Sequence, residues 1–163
     1  MIEEIFMPYA MFHQYFPDIA KSETRTVTIL QKGKYDLPAG NYGFLEMFCD
    51  EPGCDCRRVF FCVVSEKSSR IEAYITYGWE APSYYRKWLG SDDPHDISEL
   101  KGPALHACSP QSSLAPALLN LFRETLLQDE EYLARIKRHY ALFRAKIDRR
   151  GKTGAAKGKE KRK

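Results

Sequence analysis

Three strand-length runs stand one after another in the middle of the chain, with only short connections between them. Residues 42–49, 57–65 and 70–77 are rich in β-branched and aromatic side chains. Residues 66–69 form a polar link of hairpin length, and residues 50–55 form a loop holding Pro52 and Gly53. An antiparallel meander is the simplest way to connect such strands. Residues 24–30, with Thr24, Thr26, Val27, Thr28 and Ile29, read as a further strand.

The pattern changes after Trp79. Pro82 can start a short helix over 83–89, and Gly90 can end it. Residues 91–96 read as an acidic loop, and 100–108 as a short strand or extended segment. The last third is helical. Ser112 or Ser113 can cap a first helix, in which Leu114, Ala117, Leu118, Leu121, Phe122, Thr125 and Leu126 recur at helical spacing. Asp129 can cap a second, whose apolar stripe is Tyr132, Ile136, Tyr140, Phe143 and Ile147, with Glu130 and Glu131 at its positive end. The expected fold is α+β: an antiparallel sheet with a C-terminal antiparallel helix pair on one face.

A chain of 163 residues suits one domain and can bury a core without disulfides. We expect that domain over 1–148, with an aromatic, proline-interrupted arm at 1–22. The segment 149–163 has eight basic residues and one acid, a net +7. With +3 overall, the remainder of the chain stands at −4. Low hydrophobicity and high charge mark that segment as a disordered basic tail. Its Gly151-Lys152-Thr153 lacks the glycine loop and strand of a phosphate-binding loop. Glu3 and Glu4 stand where a secretory leader carries cations. No run approaches the roughly 20 apolar residues of a membrane span. These features predict a cytoplasmic protein with no membrane partner, in which the five cysteines are not disulfides.

The segment with chemical information is Cys49-Asp50-Glu51-Pro52-Gly53-Cys54-Asp55-Cys56. Three cysteines in a polar turn do not read as core residues. Zinc takes deprotonated sulfur or imidazole at about 2.0–2.3 Å, tetrahedrally. Cys49, Cys54 and Cys56 are therefore expected to hold a structural Zn²⁺. Cys62 lies along a strand and is assigned to the core. Cys108, before Ser109-Pro110, is the expected fourth ligand, with His106 the alternative.

Glu46-Met47-Phe48-Cys49, Pro52-Gly53-Cys54-Asp55-Cys56-Arg57-Arg58-Val59, Ser109-Pro110-Gln111-Ser112 and His139-Tyr140-Ala141-Leu142-Phe143 together resemble a family of uncharacterised bacterial proteins. The similarity runs from about residue 24 to 147. It implies a bacterial cytoplasmic protein in which Cys49, Cys54 and Cys56 act as one unit, and it lends no catalytic residue.

Other groups have plainer readings. Arg57 and Arg58 can offset the negative charge of a zinc–thiolate centre. Tyr74, Tyr77, Trp79, Tyr84, Tyr85 and Trp88 suit a core with exposed polar tips better than a base-stacking platform. Asp92, Asp93, His95 and Asp96 fit turn chemistry. His139 is read as a hydrogen-bonded, half-buried helix histidine. No complete catalytic constellation stands out. The leading expectation is a binding or adaptor role with an unidentified protein partner and a structural zinc. The alternatives are weak nucleic-acid contact through the tail, or a zinc- or cysteine-dependent hydrolase.

Overall fold

The β-prone runs pair into one sheet. A computed structural model describes the backbone of residues 9–160 and the side chains of residues 9–151. β3 (Gly40–Cys49), β4 (Arg58–Ser65) and β5 (Arg70–Gly78) form the antiparallel meander. Two segments share the outer edge of β3: β1 (Tyr9–Met11) pairs with its end, and β2 (Arg25–Ile29) with its start. The short β6 (Ala104–Leu105) closes the other edge against β5. Every pairing is antiparallel, and the fold is α+β.

Strand alternation gives the sheet two unlike faces. Tyr42, Phe44 and Phe48 of β3, Val59, Phe61 and Val63 of β4, and Ala73 and Ile75 of β5 face the main core. Met47, Phe60, Cys62 and Tyr74 form a smaller cluster on the other face. Cys62 therefore belongs to the core; its thiol lies 3.4 Å from the Met47 sulfur, and burial pushes its pKa up to about 12.

Helices build the second layer. In the arm, α1 (Phe12–Tyr15) and α2 (Pro17–Glu23) lead into β2. The rest of the expected arm, 1–8, lies outside the described residues. α3 (Pro82–Leu89) starts at its proline and ends on Gly90 at φ 70°. α4 (Pro94–Lys101) replaces part of the expected acidic loop: the Asp93 carboxylate accepts from the His95 amide at 2.8 Å, and Pro94 sits at the first helical position. That Asp-Pro pair makes a helix start out of what composition alone reads as a turn.

The two C-terminal helices cover the main sheet face. α5 (Ala115–Glu124) buries Leu118, Leu121 and Phe122. The Phe122 ring lies 5.0 Å from Phe61 and 6.1 Å from Phe44. A 3₁₀ turn, Leu126–Gln128, leads to α6 (Glu130–Glu160). Asp129 caps α6 by accepting from the amides of Glu131 and Tyr132. Tyr132, Ile136, Tyr140, Phe143 and Ile147 are buried as the spacing predicts. Each fully buried Phe contributes roughly 1.5–3 kcal/mol, so these rings fix the seating of α6 on the sheet. The backbone of α6 continues to Glu160, through much of the segment expected to be a disordered tail, although that stretch holds Gly151, Gly154 and Gly158, which are poor helix formers. Residues 161–163 of that tail lie outside the described residues.

Candidate metal centre in the β3–β4 loop

The loop between β3 and β4 is held by one side of α6. Gly53 turns the chain at φ 77°, and the Cys54 amide donates to the Glu51 carbonyl. Four α6 positions, spaced three or four residues apart and so on one helix face, then meet the loop. The Tyr140 hydroxyl accepts from the Arg57 amide at 3.1 Å. The Arg144 guanidinium donates to the carbonyls of Glu51, Cys54 and Cys49 at 3.0, 2.9 and 2.6 Å. The Asp148 carboxylate accepts from the Gly53 amide at 2.8 Å. Gly151 faces Pro52 so closely that a Cβ there would stand 2.6 Å from the Pro52 Cβ.

α3 holds the loop from another side. The Tyr84 hydroxyl donates to the Asp55 carbonyl, and Tyr85 donates to the Arg57 carbonyl at 2.9 Å. Gly78 lies under Tyr85, where a Cβ would stand 2.2 Å from the phenolic oxygen. The Trp79 ring meets Tyr140 edge-on at 4.9 Å. The aromatic group around 77–85 is thus loop support and core; Trp88 is exposed. Arg57 takes φ 50°, a left-handed conformation, and is fixed there by its backbone bonds and by ion pairs to Asp55 at 2.9 Å and Glu80 at 3.4 Å.

This clasp brings three thiols together. The thiols of Cys49, Cys54 and Cys56 lie near enough to shift one another's titration. The backbone two residues on favours each thiolate and draws its pKa down: Glu51 for Cys49, Cys56 for Cys54, and Arg58 for Cys56. Contrary to the expectation that cysteines in a polar turn are not core residues, Cys49 and Cys56 are buried in the main core and Cys54 packs half-buried against it. Contact with Cys56, then burial, raises the Cys49 pKa; burial raises that of Cys54; contact with Cys49 lowers that of Cys56. Among the described residues no group of three or more His, Cys, Asp or Glu side chains is set around a point ready for a metal ion. Three thiols are a donor set that suits a soft or borderline ion.

The other expected ligands lie elsewhere. β6 stands three strands from β3, on the order of 14 Å at ordinary strand spacing. The chain then runs away from the loop. Leu105 is opposite Ile75, the His106 amide donates to the Tyr74 carbonyl, and the Ser112 amide to the Glu72 carbonyl, whereas the loop adjoins the Arg58–Gly78 end. Cys108 is exposed on that departing segment and does not join the three cysteines. His106 is no substitute. Its ring packs at 5.0 Å on Phe60, on the far sheet face, and its Nδ1 lies 2.7 Å from the Ser109 hydroxyl. A lone cysteine before a helix carries no information about which sheet edge it will lie on, which is why spacing misplaces it.

Arg58 is held by the Leu100 carbonyl at 2.7 Å and the Tyr9 hydroxyl at 3.1 Å. The cation that clasps the loop is Arg144, which sequence reading passed over. The available signal was its place on the buried face of α6, four residues after Tyr140.

A second polar cluster is buried beneath α6. His139 is inaccessible to solvent and lies between Glu46, 2.9 Å from Nδ1, and Glu23, 2.6 Å from Nε2. Phe12 stacks on the imidazole at 4.4 Å, and Arg138 pairs with Glu23 at 2.7 Å. Bonds from Arg138 and His139 hold the Glu23 pKa at about 2; burial raises that of Glu46; on His139 burial is outweighed by the two carboxylates, and its pKa rises. Glu46 occupies a core-facing position of β3 between Phe44 and Phe48, and that alternation was the legible sign of a buried partner for a helix histidine.

No known protein family, curated protein or solved structure matches the chain. Among the described residues no helix is long and apolar enough to cross a membrane.

Proposed function

We propose that Cys49, Cys54 and Cys56 bind one Zn²⁺, and that this centre stabilises the β3–β4 loop of a protein whose role is binding other molecules. The observation that carries the reading is the meeting of three thiols, each beside a stretch of backbone that favours the thiolate. Zinc replaces the thiol protons with one shared cation. The loop, already tied to α6 through Arg144 and Asp148, becomes a rigid platform. Bound metal also removes the unfavourable proximity of ionised sulfurs.

The separation of Cys108 from the cluster favours a second reading. Three protein ligands with one position for water is the pattern of catalytic rather than structural zinc, and it keeps a zinc hydrolase as the alternative. Metal analysis of purified protein, with X-ray absorption at the zinc edge, tests both. One Zn per chain with three sulfurs at about 2.3 Å and one light donor fits the centre described. The hydrolase reading then requires turnover of an ester or peptide substrate that is lost with the metal. Protein without metal, in which Cys49 and Cys56 instead oxidise to a disulfide, contradicts the zinc proposal.

A further inference from the structure

One flank of α6 carries a row of cations, most of them held in place by neutral acceptors: Arg135 by the Glu23 carbonyl at 3.0 Å, and Lys146 and Arg150 by Tyr15. Arg135, Arg138, Lys146, Arg149 and Arg150 lie along the flank facing α1 and α2, with Leu142 and exposed Ala145 between them. From 132 to 151 the one acid on the helix is Asp148, which points the other way to the Gly53 amide. Glu23 offsets Arg138. Lys146 and Arg150 are held by neutral acceptors, the Tyr15 carbonyl at 3.3 Å and the Tyr15 hydroxyl at 3.1 Å, so their hydrogen bonds place the charges without cancelling them. A groove of about 410 Å³ runs here, lined by Phe16, Leu142, Ala145, Lys146, Arg149 and Arg150.

We infer that this flank of α6 is a docking surface for the phosphate backbone of nucleic acid. The span from Arg138 to Arg150 is about 18 Å at helical rise, which matches about five phosphates of one strand along a duplex. Charge complementarity identifies a polyanion, and the side chains separate two kinds. A membrane-surface helix sets Trp, Phe or Leu beside its cations for insertion. Here Phe16 and Leu142 lie half-buried in the groove beside exposed Ala145, and the exposed large apolar side chains among the described residues, Leu30, Ile71, Trp88 and Leu89, lie on other elements, so no large apolar side chain stands free on this flank for insertion. The contact therefore reads backbone charge, not base sequence. It differs from binding by the extreme C-terminus alone because its ordered charges precede residue 151. It stands independently of the zinc proposal.

The test uses the full chain and a fluorescent 20-base-pair duplex, with the matching single strand and phosphatidylserine vesicles as further probes. Wild type should bind the duplex at low salt with little sequence preference, and log K should fall against log[salt] with a slope of about −3 to −4, as for four phosphates neutralised. Ala145→Glu adds a negative charge to the row at an exposed position and removes no described side-chain hydrogen bond. It should weaken binding at least tenfold. Lys146→Gln/Arg150→Gln should do the same and flatten the slope by about two. Thermal melting confirms that each variant folds. Wild-type-like binding by both folded variants, no binding by wild type at 50 mM salt, or stronger binding to the vesicles than to either nucleic acid would overturn the inference.

Discussion

The Arg144 guanidinium of α6 donates to the Cys49 carbonyl at 2.6 Å, across 95 residues of sequence. The same group reaches Glu51 and Cys54, so one buried cation collects three carbonyls of the loop that carries the thiols. Carbonyls turned toward a guanidinium leave the opposite side of the turn for the side chains. The long helix and the cysteine loop are thereby one unit.

Arg144→Met should consequently loosen the loop more than it disturbs the core. Hydrogen bonds to a charged group contribute about 1.5–3 kcal/mol each, and some carbonyls will recover water, so a loss on the order of 3 kcal/mol is expected in urea unfolding. Limited proteolysis should cut first between Asp50 and Asp55. Unfolding identical to wild type with an intact loop would show that the clasp contributes nothing.

Two glycines are required by close approach. Gly78→Ala places a Cβ against the Tyr85 hydroxyl and Gly151→Ala one against Pro52. Overpacking of this kind costs about 1–3 kcal/mol. We expect Gly78→Ala to be the more damaging, because Tyr85 is fully buried and would have to leave the Arg57 carbonyl. Differential scanning calorimetry ranks the two.

The buried Glu23–His139–Glu46 cluster sets a pH dependence. Glu23, with its pKa depressed to about 2, contributes stability above the ordinary carboxylate value of about 4.3, and that contribution is lost as pH falls toward 2. His139, with its pKa raised, contributes fully below about 6.5 and loses its contribution as pH rises through the folded value. Glu46, also raised, acts in the same sense as His139. Arg135 and Arg138 are the charged groups that face them from α6. Stability should therefore peak between about pH 4.5 and 6.5. Urea midpoints from pH 3 to 9 should show a decline on the alkaline side that His139→Gln removes. A flat wild-type profile above pH 6.5 would contradict the assignment.

Cys108 and Cys62 should separate cleanly by reactivity. Cys108 is exposed and Cys62 is buried with its pKa pushed up to about 12. In native protein a maleimide should label Cys108 first and leave Cys62 unmodified until unfolding. Cys108→Ser should leave metal content unchanged. Loss of metal in that variant would return Cys108 to the site.

The legible part of this molecule was local. The meander could be read because short links allow few pairings, and α5 and α6 could be read because their apolar spacing survives burial unchanged. The three-cysteine unit was visible for the same reason, since a turn brings its own residues together. What stayed hidden depends on sheet order and helix rotation. Cys108 was misplaced because nothing near it says that β6 lies three strands from β3. Arg144 and the Glu23–His139–Glu46 set were missed because each joins residues about 90 or more apart. Their one local trace is a charged residue on an otherwise apolar face, at 46 in β3 and at 144 in α6.

The central claim is that Cys49, Cys54 and Cys56 together make a zinc centre. Its most direct test is the zinc content of freshly purified full-length protein, measured by elemental analysis beside Cys54→Ser, Cys56→Ser and Cys108→Ser. The account predicts about one Zn per chain in wild type and Cys108→Ser, and little in either loop variant. Metal-free wild type, or loop variants that keep their zinc, would contradict it.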